Sequence, residues 1–438
     1  VGAEPTSWVR RAGVLVLARL AAQGVSFVWV LWAARSLPRS EMGAVGVGLT
    51  VLAVTSALAE LGTTRSVVRH GGADPASLRP TLVAALGWRV AAGVVVGGVV
   101  AAAAGLVGVP APGAVVVLAV VVSATSGVVD LLLAGLRTAG AVRTEAVVLV
   151  GERTAFLVLG GLAVARGGGA TTVLVVYLAT NLASLAVVGP SAARALQPAV
   201  GGVAGPLLDA EGRRTAVATA VGALLPRLAA VIVAVGGTAT GAAAVAVAQR
   251  PFDALVVLVA TGMSAIHPVA RRAVATGAVA EAQRVIRAAT TVAVAVALAA
   301  LGVAALAPTE VLGVLAGRGR YADAAGVLVA AGVVAVVSVL RQALEVAALA
   351  EERAGVVARA ELVALVTGGA VGLALVGPWG AVGAVAAQVL AEAVAAAGIA
   401  LGRRSWATAG PAWEDGAADV GGRREGERWD QPVEGAAV

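Results

Sequence analysis

Twelve apolar runs follow one another along this chain. Each is close to the roughly 20 residues that cross a hydrocarbon layer about 30 Å thick. The first six are Gly13 to Ala34, Gly43 to Leu61, Thr81 to Val107, Ala114 to Leu136, Glu145 to Ala165 and Thr171 to Val188. The second six are Thr215 to Val235, Gly241 to Ile266, Val285 to Leu306, Ala324 to Leu349, Ala354 to Val376 and Gly380 to Leu401. They lack the alternation of a lipid-facing barrel strand, and backbone groups inside hydrocarbon must bond within their own segment, so each run reads as a helix. The expected fold is an all-α polytopic membrane protein with twelve transmembrane helices.

With 59% hydrophobic and 13% charged residues, little polar sequence is left for a further soluble domain. Every basic residue is Arg, and with Ala, Val, Leu and Gly dominant the codon usage points to a GC-rich bacterial genome. Without Lys there is neither a Walker A loop nor a Schiff base, and without Cys there is no disulfide, thiolate metal site or cysteine nucleophile. His70 and His267 alone are too few for a metal site, so neither metal nor cofactor is expected. The N-terminus carries no short apolar region followed by a small-residue cleavage site, so the first run is expected to be retained.

Arginine distribution gives the orientation. With the N-terminus cytoplasmic, inside segments hold sixteen arginines, among them Arg65, Arg69, Arg137, Arg353 and Arg403. Outside segments hold five: Arg35, Arg39, Arg166, Arg318 and Arg320. This bias places both termini in the cytoplasm of a bacterial inner membrane and accounts for the net charge of +7 without nucleic acid. Residues 189–214, with three prolines and the run DAEGRR, read as a cytoplasmic linker between six-helix halves at 13–188 and 215–401. The polar stretch 402–438 is expected to be a disordered cytoplasmic tail. Gly43 and Gly241 open corresponding second spans of the two halves, a weak sign of parallel repeats.

Three stretches resemble the polysaccharide transport branch of the multidrug/oligosaccharidyl-lipid/polysaccharide (MOP) flippase superfamily. They are AARSLPRSEMGAVGVG at Ala33 to Gly48 with LAELGTTRSVVR at Leu58 to Arg69, the segment Gly236 to Gly277 with its internal Arg and closing Pro, and Pro308 to Gly383. Glu60 stands where the family often has Asp, and Arg227 where many relatives carry an acidic residue. The resemblance implies two helical bundles around a central cavity that opens alternately to each side for a polyprenyl-linked glycan head group. Lipid-linked glycan and membrane lipids are the implied partners, with glycosyltransferases or a polymerase of the same pathway.

A charge inside a span costs several kcal/mol unless paired or hydrated, so each one calls for a reason. Arg19 and Gln23 lie one turn apart on one helical face, and Arg89, Arg227 and Arg250 sit within later spans. A guanidinium fork suits pyrophosphate or an acidic sugar, so these five are the candidate substrate-binding residues; snorkelling is the competing reading, chiefly for Arg89. Asp130, Glu152, Arg153, Asp253, Arg341 and Glu345 are candidates for gating or coupling. The pairs Arg250/Asp253 and Arg341/Glu345 have helical spacing, which also suits plain structural pairing. Trp29, Trp32 and Trp379 are expected to anchor the outer interface.

The leading reading is a transporter that flips a lipid-linked oligosaccharide or polysaccharide precursor, not an enzyme. An alternative is a drug or small-metabolite exporter of the same superfamily. A rival from another class is a membrane-embedded glycan polymerase or transferase, against which the short outside loops speak.

Overall fold

The computed structural model describes residues 5–195, 217, 220–276, 278–351 and 353–407. The first half comprises α1 (Pro5–Ser36), α2 (Arg39–Glu60), α3 (Thr63–Ala73), α4 (Leu78–Val107), α5 (Gly113–Thr138), α6 (Val142–Ala165) and α7 (Ala170–Ala195). The second comprises α8 (Ala220–Gly236), α9 (Ala239–Ala248), α10 (Arg250–Ala275), α11 (Val279–Leu306), α12 (Pro308–Ala316), α13 (Ala325–Ala350) and α14 (Ala354–Ala407). Among the described residues there is no strand.

Nine of these helices are long and apolar enough to cross a bilayer, and α9 with α10 forms a tenth span bent by 46°. The run of α14 reverses at Gly380, which divides it into two spans, and the shorter α8 completes the twelve. Two six-helix bundles result, packed chiefly through α1 on α6 and α5 on α7 in one, and through α13 on α14 and α11 on α13 in the other. Leu17, Val94, Val99, Val292, Leu306 and Val366 point outward, as surfaces solvated by lipid do.

Local chemistry explains the departures from the predicted spans. The eighth span breaks at Gln249 because Pro251 has no N–H to continue the ladder, whereas α10 runs on through position 268, where a closing proline was expected. Pro226 imposes a 3₁₀ turn inside α8. The last two spans form a hairpin almost without a loop: Gly380 adopts φ 56, ψ −139, which a side chain would resist. Its arms, 354–379 and 381–407, meet along small residues, and a Cβ at Gly368 would stand 2.5 Å from the Cβ of Ala391.

Two short helices lie outside the predicted spans. The Leu61–Gly62 turn, both residues with positive φ, redirects the chain into α3, which buries Val67 and exposes Arg65 and Arg69. α12 follows α11 at the opposite end. Helix α7 continues past Val188 through Pro190 to Ala195, and α14 continues to Ala407; the rest of the predicted linker and tail lies outside the described residues, as do 215–219 at the start of the predicted seventh span apart from residue 217.

We call the face where α1 begins and α14 ends the terminal face. On the other face the bundles touch where α2 runs beside α9, with glycines of α2 at the closest approach. A Cβ at Gly43 would stand 1.9 Å from the Ala239 carbonyl oxygen, and one at Gly46 3.0 Å from the Cβ of Ala246.

Candidate functional site

Between the bundles lies a cavity of about 600 Å³. It starts at the terminal face beside Glu60, Thr64, Arg137 and Glu145 and runs inward to Trp29, Leu49, Tyr177 and Arg250. Six arginines line it (Arg19, Arg89, Arg137, Arg153, Arg227 and Arg250) against three carboxylates, Glu60, Asp130 and Glu145. All five predicted substrate-binding residues, Gln23 included, are on its wall, as are Asp130 and Arg153.

On the first-bundle wall, Arg137 grips Glu145 with Nε and Nη2 at 2.9 and 2.6 Å, and Arg19 approaches the same carboxylate at 3.7 Å. Two guanidinium groups thus share one carboxylate. Arg153 donates to the Tyr177 hydroxyl at 2.5 Å and lies over its ring. Arg89 crosses to α5 where Gly127 leaves space: a Cβ there would stand 2.4 Å from Nε. Its Nη1 is buried and has no hydrogen-bond partner among the described residues. Glu152, 3.8 Å from Arg153, is buried behind this wall and does not reach the cavity.

The second-bundle wall repeats the pattern at helix breaks. Arg227 closes the turn made by Pro226, and Arg250 directly precedes Pro251. They stand 3.7 and 3.9 Å from Asp253, again two cations to one anion. Asp253 itself lines a smaller void beyond the main cavity, bounded by Gly46 and Ala242. Gln388, on the second arm of α14, mends the broken backbone. Its Nε2 donates to the Pro226 carbonyl, while its Oε1 accepts from Ala229 N–H and Gln249 Nε2.

Arg341 and Glu345 do pair, at 3.0 Å, but in the interior of the second bundle and not on the cavity. There Arg341 also holds Glu361 and Glu392, each at 2.6 Å, so three carboxylates surround one guanidinium. No group of three or more His, Asp or Glu among the described residues is arranged to hold a metal ion.

Trp29 is not an interfacial anchor. It is 2% exposed and begins a ring column, with Phe156 at 4.7 Å and Tyr177 a further 4.6 Å on, that stiffens the first-bundle wall. Trp32 packs on Gly161, and Trp379 is exposed as expected. The sequence reading also missed Arg137, Glu145, Tyr177 and Gln388. The signal for Gln388 was a lone amide in an otherwise Ala/Val run.

Opposite the terminal face, loops tie the bundles together. Arg39 pairs with Asp323 at 2.7 Å and lies over Tyr321, while Arg320 donates to the carbonyls of Arg35 and Leu37. Burial pushes the Tyr321 phenol above its ordinary range, against the pull of Arg320 and Arg39.

This architecture is the fold of MATE-family transporters of the MOP superfamily. The inward-facing conformation of a multidrug resistance MATE transporter matches with a TM-score of 0.67 at 16% identity, covering 89% of this chain and 94% of that one. An outward-facing conformation of such a transporter matches at 0.60 and 16%, covering 90% and 95%. A MOP superfamily transporter from Pyrococcus furiosus, described as having a binding pocket of reverse polarity, matches at 0.62 and 16%, also covering 90% and 95%. No family model and no curated protein matches the sequence.

Proposed function

We propose that this chain is an alternating-access transporter of amphipathic anions, and that its cargo is the pyrophosphate-bearing head group of a lipid-linked saccharide. The supporting observation is the excess of guanidinium on the cavity wall, above all Arg89, whose buried Nη1 lacks a partner. Such groups repel cations and bind phosphate or carboxylate through charge-assisted hydrogen bonds. The seal of α2 on α9 and the loop contacts beyond it fit an inward-open state with both termini cytoplasmic. The higher TM-score with the inward-facing transporter agrees.

A second reading, export of drug-sized anions, draws on the structural neighbours described as multidrug transporters. The cavity volume fits it too, because about 600 Å³ holds a drug-sized ligand or one small head group, not a long polymer.

Purified protein in liposomes separates the readings. Inward movement of a fluorescent polyprenyl-pyrophosphoryl saccharide, lost in Arg19→Ala and Arg227→Ala, is the expected result. Transport of soluble anions without movement of the lipid-linked sugar would establish the second reading. Unimpaired transport by both variants would remove the cavity assignment.

A further inference from the structure

A further void, larger than the cavity, lies away from it on the outer side of the second bundle. It is a groove of about 1020 Å³ between α11 and the second arm of α14, floored by α13. No residue lines both voids, so a chain lying in the groove does not place its head in the cavity.

The groove has the dimensions and polarity of one bilayer leaflet. Its α11 side runs from Gln283 and Arg287 to Leu298, and Arg287 and Leu298 stand about 16 Å apart at a helical rise of 1.5 Å per residue. That is about half a hydrocarbon layer of roughly 30 Å. The polar end lies toward the terminal face, where α11 begins and α14 ends, and the far end is lined by Leu298 and Leu340, both exposed apolar side chains. Alanines on α13 and α14, Ala343 and Ala397 among them, keep the floor and wall low enough for a chain.

Charge chooses the occupant. Arg403 at the polar end is already held by Glu351, through Nε at 3.1 Å and Nη2 at 2.5 Å. Arg287 is exposed and pairs with no carboxylate among the described residues; its Nη2 donates to Gln283 at 3.1 Å. An unpaired guanidinium at headgroup level above a leaflet-deep apolar groove matches one anionic phosphate with its acyl chain. We propose that this groove is a binding site for an anionic phospholipid of the leaflet on the terminal face, separate from the transport path.

Native mass spectrometry of the purified protein, with phosphatidylglycerol or phosphatidylcholine added at equal concentration, tests this. Wild-type protein is expected to retain phosphatidylglycerol in preference to phosphatidylcholine. Arg287→Gln should weaken that retention about fivefold, the weight of one arginine at an anionic surface. Ala397→Phe, which fills the groove without touching the charge, should weaken it as well, while Arg19→Ala should leave it unchanged. Equal retention of the two lipids would overturn the proposal, as would full retention in both groove variants, displacement by equimolar polyprenyl phosphate, or a dimer in place of the lipid adduct. Because Arg19 belongs to the other void, loss of transport with lipid binding intact tests the cavity independently.

Discussion

The cavity wall and the interior of the second bundle solve the same problem, charge in a membrane, in opposite ways. On the wall two arginines share one carboxylate, first Arg19 and Arg137 around Glu145, then Arg227 and Arg250 around Asp253. In the interior one arginine is shared by Glu345, Glu361 and Glu392. Arg341 is 5% exposed and Glu392 fully buried, whereas the side chains of Arg19 and Arg227 are 45% and 42% exposed. The first arrangement leaves positive charge facing a void for a ligand to complete. The second closes upon itself and holds helices together.

The largest expected effect breaks the interior cluster. Arg341→Leu leaves the buried Glu361 and Glu392 and the half-buried Glu345 without their cation and should destabilise the protein by roughly 3–5 kcal/mol, seen as a lowered unfolding temperature in detergent. Arg19→Leu, on the half-open wall, should cost less than about 1 kcal/mol. Equal losses would erase the distinction between the two regions.

Next comes the seal opposite the cavity. Gly43→Leu drives a side chain into the Ala239 backbone and should disfavour the closed contact by roughly 1–3 kcal/mol. The readout is cross-linking between cysteines placed at positions 39 and 323, and the native sequence contains no cysteine to interfere. Undiminished cross-linking would show that this contact does not hold the bundles together. A smaller effect sharpens the wall: Asp253→Asn frees Arg227 and Arg250 and should tighten binding of an anionic ligand about fivefold, by isothermal titration. Smallest of all, Arg39→Gln removes an exposed ion pair and should change cross-linking between cysteines at positions 35 and 320 by no more than about 1 kcal/mol equivalent.

The spans were legible because twenty apolar residues in hydrocarbon have one solution, and intramembrane arginines such as Arg19 and Arg227 stand out from such runs. What a helix does around proline was less legible. Pro226 and Pro251 break their spans, while the helix passes position 268 unbroken; at Pro226 the neighbour Gln388 takes up freed backbone groups from another helix, which no local pattern announces. Helical spacing found Arg341 with Glu345, but Glu361 and Glu392 join them from other helices, beyond the reach of any local pattern. Arg137 was read as a topological charge, since only the folded α5–α6 turn turns it back onto Glu145. Trp29 was read as an anchor from its place near the end of an apolar run, but its side chain is buried in the bundle.

One amide carries a mechanical consequence. Gln388 bonds the backbone on both sides of the turn at Pro226 and the side-chain amide of Gln249 at the second fracture, and Glu392, one turn along the same rod, is clasped by Arg341. The segments that carry Arg227 and Arg250 are thereby both tied to that one rod. The interior knot of acids and the positive wall are therefore joined through a single rod, which starts at the tight reversal beside Pro378.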